Sequence, residues 1–170
     1  MRYRFDVVSP SVADAVTFAG GWLFDRAMAG WDVTVLIPAS GDDIRPLEIL
    51  GACVLDLETV LESWAERPHP QTVSVSAHLF ENDERVRRHV RNALDHGLTE
   101  VTLWGDPCPP ELDRDVDAVH HELSAAARAF KSQALAAVGR HDPTADRAVE
   151  IFRCGMMTRR SVATDLVPAS

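Results

Sequence analysis

The sequence predicts an α/β protein: a small doubly wound (Rossmann-like or flavodoxin-like), mostly parallel four-stranded sheet with helices on both faces and a long C-terminal helix. Three observations predict it. Phe5 to Ile37 reads as strand, helix, strand. Further short apolar runs follow at Thr72–Phe80 and Val101–Trp104. Stretches with helical periodicity separate them, and such alternation builds parallel sheets covered by helices. With 170 residues the chain suits one ordinary domain, expected over 1–153 with a tail over 154–170.

Phe5-Asp6-Val7-Val8 is short and largely apolar, as a buried strand requires. Ser9-Pro10 breaks it. Ser11 is placed to cap the next helix, with Asp14 at the capping-box position. Val12, Val16, Ala19, Leu23 and Ala27 recur at helical spacing and form one apolar stripe. Gly20-Gly21 lies inside it. Mid-helix glycine costs about 1 kcal/mol against alanine, which fits a helix lying very close to a sheet. Gly30 ends the helix, and Asp32–Ile37 is a near-continuous apolar strand of the kind covered on both faces.

A loop over PASGDDIRP follows. Leu47, Leu50, Val54, Leu57, Leu61 and Trp64 then step by three and four, predicting a nearly heptad helix, with a strand pair over LEILGACVLDL as the alternative. Pro68 and Pro70 end it. Thr72–Phe80 is the third predicted strand. Asn82 or Asp83 caps a helix closed by His96-Gly97, and Val101–Trp104 is the fourth strand. Leu112, Val116, Val119, Leu123, Ala126 and Phe130 predict a long helix to about Val138. Asp142-Pro143 starts a shorter one burying Ala145, Val149 and Phe152.

The net charge of −9 argues against general nucleic-acid binding, which rests on cations. The N-terminus does not read as a signal peptide and no apolar run spans a bilayer, so the expected location is cytoplasmic. Three widely spaced cysteines without a CxxC indicate neither disulfides nor a thiolate metal site.

Ligands of open α/β sheets bind beyond the carboxyl ends of the strands. Ser9 and Ser11 flank a helix N-terminus there and are the expected anion-binding residues. Asp42 and Asp43 are candidates to hold a ribose. S-P-S-V-A-D replaces the glycine-rich dinucleotide motif, and no P-loop occurs, so no cofactor is expected. The catalytic candidates are His78, Asp106 and Ser9: an oriented imidazole–carboxylate pair performs acid–base work if the third and fourth strands are neighbours. Asp117, His120 and His121 have a spacing that can seed a metal site on a helical turn, but nothing completes it, so no metal is expected. Cys108 has no basic neighbour to make it reactive. Arg85, Arg88 and Arg91 form a basic helix face suited to an acidic partner.

The two heptad-like helices present more apolar surface than a small sheet covers, so a homodimer is expected. The expected function is a protein that acts by binding, through self-association and a partner protein or small anionic ligand. The alternative is a small enzyme acting on a nucleotide-like or phosphorylated metabolite at the strand ends.

Overall fold

The computed structural model describes residues 1–105, 108–112, 116–140, 147–155 and 165–168. The first unit forms as its sequence dictates. β1 (Arg4–Val8) leads into α1 (Val12–Met28) and then β2 (Asp32–Ile37). Ser11 caps α1 by accepting the Asp14 N–H at 3.1 Å. Gly30 lies just past its end at φ 87°, where a side chain would be strained. Next come α2 (Arg45–Ile49), β3 (Cys53–Asp56), α3 (Leu57–Glu62) and a 3-10 turn at Trp64–Glu66. β4 (Thr72–Ser76), α4 (Ala77–Asn82), α5 (Glu84–His96) and β5 (Glu100–Trp104) follow. The last elements are β6 (Val116–Glu122), α6 (Ala125–Ala137), β7 (Val149–Gly155) and β8 (Val167–Pro168).

All eight strands join one sheet in the order β3-β2-β1-β4-β5-β7-β6-β8. β1 to β5 are mutually parallel, with Phe5 opposite both Val33 and Thr72. β7 pairs antiparallel with β5 and β6, and β8 pairs antiparallel with β6. The expected four-stranded parallel sheet is therefore corrected to a mixed sheet of eight.

Two predicted helices are corrected with it. The run from Leu47 to Trp64 is α2, β3, α3 and the 3-10 turn, because Gly51 at φ 82° ends the first piece. The long helix to Val138 is β6 followed by α6, which starts afresh where Ser124 accepts the Ala127 N–H at 3.0 Å. The predicted third strand stops at Ser76, and Ala77–Asn82 is helical. The start of the short helix at Asp142-Pro143 lies outside the described residues; Val149 and Phe152 belong to β7. These changes remove the two heptad-like helices whose surplus surface motivated the expected dimer.

Two cores fill the layers. One lies between the sheet and α1, α2 and α6, with Trp22 packed between Phe5 and Phe152 at ring distances of 4.5 and 4.8 Å. The other lies on the opposite face beneath α3, α4 and α5. Gly20 and Gly21 do mark a close approach, but not to the sheet. A Cβ on Gly21 would sit 2.2 Å from Leu123 Cδ2, and one on Gly20 3.3 Å from Leu50.

Candidate functional site

The parallel strands run β3-β2-β1 to one side and β4-β5 to the other, so the winding reverses between β1 and β4. Their carboxyl ends flank the crevice where open α/β sheets take ligands. Ser9, Pro10 and Ser11 follow β1; Ala77 and His78 follow β4; Trp104 and Gly105 close β5. Neighbouring parallel pairs β1–β4 and β4–β5 thus bring the predicted loops to one rim. Asp106 lies outside the described residues.

On the β1 side, Ser9 is fully buried and its hydroxyl donates to the Ser11 carbonyl at 2.8 Å. It shapes the turn, with its proton committed to that carbonyl. Ser11 is occupied as the cap. The Val12 and Ala13 N–H groups have no acceptor among the described residues, so the positive end of α1 faces the crevice with two free donors. Asp14 stands in the same turn, 3.7 Å from Arg140 at the end of α6. On the β4 side, His78 is exposed at the start of α4. The Asn82 amide donates to the His78 carbonyl at 2.8 Å and lies 3.3 Å from its Nδ1. That orientation makes Nδ1 an acceptor and places the neutral ring's proton on Nε2, facing away from Asn82.

A cleft of about 570 Å³ adjoins the β5 end, between Thr17 and Phe18 of α1 and β7. Lys131, Arg147 and Arg153 line it together with Glu150 among the described residues. At its edge, Lys131 Nζ donates to Glu150 at 2.7 Å and to the Thr17 carbonyl at 2.8 Å. Glu150 also accepts the N–H groups of Gly21 and Trp22, at 2.9 and 2.7 Å. A buried ion pair is thereby spliced into the backbone of α1. Neither Lys131 nor Glu150 was singled out in the sequence, because a lysine within a helical pattern and a glutamate before a short apolar run both read as solvated.

The remaining candidates lie elsewhere. Asp42 and Asp43 are exposed in the loop after β2, one strand further from the crevice; hydrogen bonds from Arg45 hold the Asp43 carboxyl below its ordinary range. Arg85 bonds Glu58 and Asp83, Arg91 pairs with Glu111, and Arg88 is exposed. Two arginines of the expected partner face are thus neutralised within the chain. Asp117, His120 and His121 sit on strand β6, not on a helical turn, so adjacent residues point to opposite faces. His121 is buried, with Nε2 2.8 Å from Asp25 and Nδ1 3.0 Å from the Asp165 carbonyl. Arg26 beside it is also buried, stacked on Trp31 at 4.0 Å and bonded through Nε and Nη2 to Asp165. Among the described residues no three His, Cys, Asp or Glu side chains gather as a metal site, and no helix is long and apolar enough to cross a membrane.

Several solved proteins share this fold. The A40926 pseudoaglycone deacetylase Dbv21 is similar at TM-score 0.63 and 17% identity, over 94% of this chain and all of that one. The zinc-inhibited form of the teicoplanin deacetylase Orf2 is similar at TM-score 0.64 and 15% identity, over 98% of both chains. The 4-carboxy-2-hydroxymuconate hydratase GalB of Pseudomonas putida is similar at TM-score 0.56 and 16% identity, over 95% of this chain and 99% of that one. No protein-family model and no curated sequence matches the chain. The expectation of a protein that acts by binding alone is corrected by these comparisons: the proteins sharing its fold are named as enzymes.

Proposed function

We propose that this chain is an enzyme that brings water to an anionic, nucleotide-like or phosphorylated metabolite held over the carboxyl ends of β1, β4 and β5. The observation that carries the reading is the reversal of strand order between β1 and β4, with the free N–H groups of α1 on one side and His78 on the other. The fold neighbours support the reaction class. A deacetylase spends water to release an acetyl group and a hydratase adds water to its substrate, so both activate water against carbon.

The anionic group meets the Val12 and Ala13 N–H groups, where the helix dipole favours negative charge. The body of the substrate extends past Gly105 into the cleft lined by Lys131, Arg147 and Arg153. For an N-acetyl substrate, the Asp14 carboxylate takes a proton from water as the water oxygen attacks the acyl carbon. The His78 Nε2–H donates a hydrogen bond to the oxyanion that forms on the acyl oxygen, and Asp14 passes the proton it took from water to the leaving nitrogen as the C–N bond breaks, the acetic acid released then losing its proton to solvent. General acid–base groups contribute typically 10²–10⁴-fold to rate.

The test is release of acetate or uptake of water across a panel of N-acetylated, phosphorylated and unsaturated carboxylated metabolites. A substrate so found loses about 10²–10³-fold in kcat/KM with His78→Ala. The melting temperature stays unchanged because His78 is exposed. Turnover unaffected by both His78→Ala and Asp14→Asn overturns the assignment.

A further inference from the structure

A second cavity, of about 270 Å³, lies on the sheet face opposite α1. Val73 and Val75 of β4 form its floor and Val90 and Ala93 of α5 its roof. The Trp64 indole makes one wall and stacks on His89, with ring centroids 4.5 Å apart and planes 17° from parallel. Two properties separate it from the cleft at β5. Among the described residues, no Asp, Glu, Lys or Arg lines it. Toward the amino ends of β4 and β5 it is lined by Thr99, whose hydroxyl donates to the Pro70 carbonyl, Asn92, and the imidazoles of His69 and His96. Burial, then the nearby Arg88 charge, pushes the His89 pKa down, so the wall itself favours neutral groups.

Protein interiors leave few voids larger than a water molecule, and water enters only where two or more polar partners await it. An apolar space of about 150 Å³ stays dry and admits a benzene-sized molecule. This one is larger and approaches the lower end, about 300 Å³, of small-molecule sites. A charged ligand would have to leave water with no oppositely charged Lys, Arg, Asp or Glu facing it among the described lining residues.

We infer that the cavity between β4, α5 and the Trp64 turn is a binding site for an uncharged, mainly apolar small molecule with one hydroxyl end directed at His69 and His96. Trp64 and the valines contact the apolar body. His96 keeps Nδ1 against the Asn92 carbonyl at 2.7 Å, which leaves Nε2 for the ligand.

Octan-1-ol and octanoate at pH 8 test this directly, since they share a chain length and differ in charge. The readouts are calorimetry and tryptophan fluorescence on the full chain. Octan-1-ol is expected to bind saturably at one site and to alter the fluorescence, with octanoate at least tenfold weaker. Trp64→Phe removes the fluorescence response. Ala93→Phe fills the space and lowers the affinity at least tenfold. Leu98→Asp, at a mouth residue 65% exposed and so tolerant of charge, lowers it as well and serves if the filled variant does not fold. Absence of saturable octan-1-ol binding, equal binding of octanoate, or undiminished affinity in Leu98→Asp overturns the inference.

Discussion

Lys131→Met removes one half of the ion pair spliced into α1. Lys131 and Glu150 are only 5% and 4% exposed and sit 2.7 Å apart. Removing one partner leaves an uncompensated buried charge, which costs about 3–5 kcal/mol. Glu150 keeps the Gly21 and Trp22 N–H groups, so the lower end, about 3 kcal/mol, is expected for Lys131→Met. The pair is not therefore a net source of stability. Replacing both members with apolar residues, as in Lys131→Met with Glu150→Leu, is often neutral. The double variant is expected within about 1 kcal/mol of the parent, giving a coupling energy above about 2 kcal/mol. Urea unfolding at pH 7 with unchanged m-values measures all four proteins. A loss below about 1 kcal/mol in Lys131→Met, or a double variant that loses the sum of the singles, refutes the reasoning.

Gly21→Ala drives a methyl into Leu123 and costs about 1–3 kcal/mol; adding Leu123→Ala relieves the clash, so thermal unfolding of the double variant shows less than the summed losses. Asp6 is buried, and burial raises its pKa against the opposing charges of Arg4 and Arg67. Its contribution to stability is thus present below the ordinary carboxylate range and lost as pH rises through the raised value; Asp6→Asn flattens that part of the melting-temperature profile. Burial, then the charges of Glu100 and Asp117, pushes the Cys154 thiol up to about 12. A thiol reagent at pH 8 therefore labels exposed Cys53 in the native protein and reaches Cys154 only after unfolding, as peptide mapping reads out.

Much of the parallel half was legible because local signals there agree. Ser11 and Asp83 cap the helices assigned to them, Gly30 and Gly97 lie just past the ends of α1 and α5, and Asp32–Ile37 is a strand as its apolar run requires. The other half was misread for one physical reason. Steps of three and four also arise when a strand hands over to a helix: Val116 and Val119 are on β6, whereas Ala126 and Phe130 are on α6. Ser124 between them was the overlooked start signal, and the alternation of Val149-Glu150-Ile151 that of β7. At the site, the rim of loops was legible from strand ends alone. The hidden roles of Lys131, Glu150 and Arg26 were not, since burial of a polar side chain depends on partners up to 139 positions away.

Amide nitrogen–hydrogen correlation spectra of the labelled protein, titrated with inorganic phosphate, show directly whether an anion sits in the crevice between β1 and β4. Perturbations are expected to concentrate on Ser11, Val12 and Ala13, on Ala77 and His78, and on Gly105. Perturbations confined to Trp64, Ala93 and Leu98 on the opposite face, or none at all, contradict that placement.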